Sequence, residues 1–88
     1  MKIQLEKNEK TFQEIEVKLP YFTSQCSGKY QYKVISETEC IEVAIGSDYI
    51  RPRIVLQPVS TAFSDGYEIS TAREYHEAFE KVQLILKQ

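Results

Sequence analysis

Residues Lys29–Gly46, KYQYKVISETECIEVAIG, decide the fold of this chain. Two runs that alternate apolar with polar residues flank a polar centre, Ser36-Glu37-Thr38-Glu39, which is the pattern of a β-hairpin. With the loop on those four residues, Ile35 faces Cys40, Val34 faces Ile41, Lys33 faces Glu42, Tyr32 faces Val43 and Tyr30 faces Ile45. This register sets aromatic against β-branched side chains on one face and pairs Lys33 with Glu42 on the other. It predicts that Tyr30, Tyr32 and Val34 point into the core. Ile35, Cys40 and Ala44 then fall on the second face of the sheet.

Upstream, Ile3 and Leu5 alternate with Lys2, Gln4 and Glu6, and Ile15, Val17 and Leu19 alternate with Glu14, Glu16 and Lys18. Both runs read as strands with one wet face. Asn8-Glu9-Lys10 is the polar turn between them. Pairing Ile3 with Ile15 sets Lys2 against Glu16, whereas sliding by two sets Lys2 against Lys18, so the first register is expected. Between this hairpin and the central one lies SQCSGKY, Ser24–Tyr30. It reads as the end of one strand and the bend into the next, with Gly28 supplying a permissive φ and Ser27 local hydrogen bonding.

Downstream, Arg53-Ile54-Val55-Leu56-Gln57 sits between Pro52 and Pro58. Proline cannot donate to a ladder, so the run is a short strand at an end or an edge. Phe63-Ser64-Asp65-Gly66-Tyr67 reads as a tight turn joining short strands at 59–63 and 67–69. Thr71-Ala72-Arg73-Glu74 is a capping box, with Ile69 and Tyr75 flanking it as a hydrophobic staple. Ala72, Tyr75, Phe79, Val82 and Leu86, widened by Ala78 and Ile85, form the apolar stripe of a helix over about 72–87. Glu77 and Lys81 are spaced for an i,i+4 pair. The expected fold is α+β: a mostly antiparallel sheet of about five strands in residues 1–69, with one C-terminal amphipathic helix on one face, all in a single domain over 1–88.

Composition narrows the function. The 88 residues carry a formal net charge of −2, which argues against a protein built mainly to grip nucleic acid. No apolar run approaches the ~18 residues a membrane helix needs, and the first residues lack the apolar region of a signal peptide. A cytoplasmic setting is expected, with Cys26 and Cys40 reduced rather than bridged.

The chemical motifs are weak when matched to what the chemistry needs. A Walker-type phosphate loop aligned on Gly28-Lys29 puts Thr23 at its first glycine and Tyr30 at its magnesium-binding hydroxyl, and a strand pattern follows where a helix is required. Cys26 as a nucleophile needs a base, and the one histidine, His76, lies beside the helix stripe one turn before Glu80. Cys26, Cys40 and His76 have no paired ligand spacing for zinc. No catalytic set, metal or cofactor is therefore expected. Lys29, Tyr49, Arg51 and Arg53 form a small cationic and aromatic edge, and the alternative reading is weak single-stranded nucleic-acid binding there. The leading expectation is a non-enzymatic interaction module that engages a protein partner or its own copy. Its candidate contact residues are Ile35, Cys40, Ala44 and Val55 on the second sheet face, and Leu84 on the polar side of the helix. A short acidic chain of this kind fits an accessory protein of a phage or mobile element.

Overall fold

A computed structural model describes residues 1–8, 11–47 and 49–87. Strands β1 (Lys2–Asn8) and β2 (Thr11–Glu16) form a two-stranded antiparallel ribbon. Its register pairs Lys2 with Glu16 and Ile3 with Ile15, the pairing that keeps like charges apart. The expected turn at residues 9 and 10 lies outside the described residues. A five-stranded antiparallel sheet follows, built from β3 (Tyr21–Gln25), β4 (Tyr30–Val34), β5 (Glu39–Ala44), β6 (Arg53–Pro58) and β7 (Glu68–Ile69) in the order β6-β5-β4-β3-β7. Helix α2 (Ala72–Leu86) packs against one face, so the fold is α+β.

The central hairpin differs from its expected register by one residue. Val34 faces Cys40, Lys33 faces Ile41, Tyr32 faces Glu42 and Tyr30 faces Ala44. The cause is local. Ser36 Oγ accepts from the amides of Thr38, at 3.2 Å, and Glu39, at 3.0 Å, while the Ile35 amide donates to the Glu39 carbonyl. This side-chain turn closes the loop on Ile35–Thr38 and takes Ile35 out of the strand. A one-residue slip flips a whole strand. Tyr30, Tyr32 and Val34 thus share a face with Cys40, Glu42 and Ala44, and Lys33 has no part in binding Glu42.

That shared face is the second core. Ile3, Leu5 and Val17 of the ribbon segment pack there with Tyr32, Val34 and Cys40. So do Val59, Ala62 and Phe63. The last three lie in and just after α1 (Val59–Ala62), a single helical turn where a strand was expected. Val59, Ala62 and Phe63 recur at i, i+3 and i+4, which is helical spacing. Thr23 Oγ1 donates to the Ala62 carbonyl at 2.6 Å and Gln25 Nε2 to the Thr61 carbonyl at 2.7 Å, pinning the turn to β3.

The opposite face carries Phe22, Val43, Ile41 and Ile54 under Tyr75, Ala78, Val82 and Phe79 of α2. Burying each aliphatic side chain of this kind stabilises by ~1.5–3 kcal/mol. The helix start is set by Thr71, whose side chain accepts from the Glu74 amide at 3.1 Å. Glu74 does not complete the box. Its carboxylate lies 2.7 Å from Ser70 Oγ, which in turn lies 2.8 Å from Gln31 Oε1, and this junction ties the helix to β4. Ile69 is exposed while Tyr75 packs on Phe22, so the expected staple is not made. The ion pair on the helix surface is Arg73–Glu77 at 3.1 Å rather than Glu77–Lys81.

Candidate functional site

Each candidate from the sequence has a definite place. SQCSGKY is the turn from β3 to β4, and Cys26, Ser27 and Gly28 all take left-handed φ values of 53°, 56° and 87°. Gln31 Nε2 donates to the Gly28 carbonyl at 3.2 Å and fixes the loop from below. The Cys26 thiol is exposed there. His76 is an exposed helix residue whose ring lies against Phe22 and Tyr75. Cys40 is buried, its Sγ 3.4 Å from the Pro58 carbonyl oxygen, and burial pushes its thiol up to about 11. Burial likewise pushes the Tyr75 hydroxyl up to about 12. Among the described residues, no three of His, Cys, Asp and Glu stand together in a way that could hold a metal ion.

Among the described residues, the one buried charged group with a constructed environment is Glu42, which is 3% exposed. Its Oε1 accepts from Arg53 Nε at 2.9 Å and Nη2 at 2.8 Å, and its Oε2 accepts from the Tyr32 hydroxyl at 3.1 Å. Burial first, and then the neighbouring Glu42 carboxylate, push the Tyr32 hydroxyl well above its ordinary range. The hydrogen bond and charge of Glu42 raise Arg53 further. Both oxygens are thus occupied by donors of the same chain, and the trio joins β4, β5 and β6 side by side. This arrangement holds strands together and presents no open position to a substrate.

The expected interface residues do not form one surface. Cys40 and Ala44 are fully buried, and Cys40 packs with the ribbon and α1, because the ribbon forms a second layer instead of extending the sheet. Val55 is half-buried on that same face, and Ile35 sits at the rim of the β4–β5 loop. Ile35 and Leu84 keep an open position, 39% and 66% exposed, far apart on the loop and the helix. The cationic edge is also depleted. Lys29 and the 49–51 segment lie at one end of the sheet, where the Lys29 carbonyl accepts from the Ile45 amide. Tyr49 and Arg51 are exposed, but Arg53 is committed to Glu42.

A different surface emerges at the outer side of β6. Pro58 lacks an N–H, so its pairing with Glu39 is of the non-hydrogen-bonded kind, and the Val59 amide donates to Thr38 just beyond it. Alternation then makes Gln57, Val55 and Arg53 the residues bonded to β5. The amides and carbonyls of Ile54 and Leu56 point away from the sheet, whereas the Pro58 carbonyl lies 3.4 Å from Cys40 Sγ. Among the described residues no strand pairs with this side. Leu56 stands on the helix side of this strand, 59% exposed. Leu86 continues the buried stripe of Tyr75 and Val82, yet is 54% exposed. The bracketing prolines are the sequence signal for this edge. The exposure of Leu56 depends on where the helix stops covering the strand, and no local pattern encodes that.

Comparison of the chain with protein-family models, with curated proteins and with solved structures gave no match.

Proposed function

We propose that this chain is a non-enzymatic interaction module whose working surface is the outer edge of β6, with the exposed Leu56 side chain on it. The observation that carries the reading is the coincidence of open backbone groups at Ile54 and Leu56 with the exposed Leu56 side chain. An added strand satisfies the backbone groups, and apolar side chains above the strand supply the burial that hydrogen bonds alone do not. The sheet faces are unsuited to the role, since each is already layered by α2 or by the ribbon and α1.

The test is hydrogen exchange at single amides, with and without the partner obtained by affinity capture from the native cell. The Ile54 and Leu56 amides exchange quickly in the isolated chain and slow by at least tenfold on engagement. Leu56→Lys, which leaves the core untouched, abolishes capture. Capture that survives Leu56→Lys with both amides still fast would refute this assignment.

A further inference from the structure

We infer that the occupant of the β6 edge is a second copy of this chain, paired antiparallel about a two-fold axis through Val55. This rests on the edge reading above and adds the identity of the partner and its register. The outward-bonding residues of β6 are the even-numbered ones, so a symmetric antiparallel pair must match even with even and odd with odd. Val55 is the midpoint between Pro52 and Pro58. Centred there, Ile54 exchanges two hydrogen bonds with Leu56 of the second copy, and Leu56 does the same with its Ile54. Each proline then faces a proline of the other copy. Neither has an amide to leave unpaired, so the ladder ends cleanly at both sides.

Side chains fit the same centre. Arg53 faces Gln57 of the second copy, whereas a register centred on Arg53 would oppose two guanidinium groups. On the helix side Ile54 lies across from Leu56 of the second copy, an apolar pair made twice by symmetry. A five-residue strand pair alone falls short of the about 800 Å² per partner of a standard stable interface. Exposed Leu56, set against Ile54 of the second copy, adds apolar area, and the pair is a weak dimer of micromolar Kd.

The register is read by a cysteine placed on the axis. Val55 and its symmetry mate form a non-hydrogen-bonded pair with Cα atoms about 4.5 Å apart, within the range a disulfide spans. In a Cys26→Ser background, which removes the exposed thiol, Val55→Cys gives a disulfide-linked dimer on mild oxidation. Gln57→Cys, whose mate lies several residues away along the ladder, stays unlinked. Light scattering gives a dimer mass for the wild type at roughly 100 µM, where a dimer of micromolar Kd is saturated, and a monomer for Leu56→Lys. A monomeric wild type overturns the second-copy assignment. If its capture of another protein is then lost in Leu56→Lys, the edge reading stands with a different partner; if capture is unaffected, both fall. A dimer that links through Gln57→Cys and not Val55→Cys overturns the register.

Discussion

Replacing Arg53 by Met should destabilise the fold more than replacing Glu42 by Gln, although both remove the same ion pair. The asymmetry comes from burial. Glu42 is 3% exposed, while the Arg53 side chain is 48% exposed. Without Arg53, a carboxylate loses two charge-assisted hydrogen bonds, keeps only Tyr32 and has limited access to water. One-sided removal from a fully buried pair costs about 3–5 kcal/mol. The opening left by a half-exposed guanidinium admits water, so we expect about 2–3 kcal/mol here. Glu42→Gln leaves an arginine that can turn to solvent and an amide that still meets the Tyr32 hydroxyl, for about 1 kcal/mol. Urea denaturation followed by far-ultraviolet circular dichroism reads both, since an m-value of about 1–1.5 kcal/mol/M for a chain of this size turns the Arg53→Met loss into a midpoint shift of roughly 2 M. Equal losses, or a larger loss in Glu42→Gln, would refute the view that the buried carboxylate is the costly partner.

Four further outcomes follow from described geometry. Cys26→Gly should stabilise by about 0.5–1 kcal/mol, because a non-glycine residue at φ 53° carries strain that glycine lacks; a loss of stability on thermal melting would contradict this. Gly46→Ala should cost about 2 kcal/mol or more, since φ is 101° and a Cβ would sit 2.7 Å from Pro52 Cγ, and an unchanged melting curve would count against it. With its thiol pushed up to about 11 by burial, Cys40 should resist an aromatic disulfide reagent at pH 8, so one thiol per chain reacts until denaturant is added. The unfolded thiol releases its proton first, so stability falls as pH rises from the ordinary value of 9.0 towards about 11, and Cys40→Val removes that share of the slope.

What can be read from the sequence divides along physical lines. The terminal helix, the Ile3–Ile15 register and the α+β class depend on periodicity, capping and charge opposition, which are local. The β4–β5 register depends on whether Ser36 takes two amides for itself, a competition that an aromatic and charge count does not weigh. Reading Lys33–Glu42 as a pair then hides the true partner, since Arg53 reaches Glu42 across the β5–β6 ladder, where the two are neighbours only after folding. Cys40 and Ala44 look open in the sequence because one helix covers one face. The ribbon that covers the other has the pattern of two more strands of the same sheet, and nothing in that alternation separates an added strand from an added layer. Pro52 and Pro58, by contrast, mark β6 as an edge through their chemistry alone, since neither carries an amide that a further strand could use.

Synthesis from the N-terminus gives the helix layer a temporal meaning. Phe22, Val43 and Ile54 lie on strands completed well before residues 72–86 are made, yet their cover is Tyr75, Ala78 and Val82. At elongation rates of about 5–20 residues per second, this apolar surface stays bare for a second or more after β6 is complete. The ribbon and α1 complete the opposite layer earlier, so the nascent chain passes through a half-covered sheet whose sticky side is the one that later holds the helix. Crowded ribosomes or a stalled message therefore expose the molecule to mispairing at that face, and a chain cut short before Thr71 should aggregate through it.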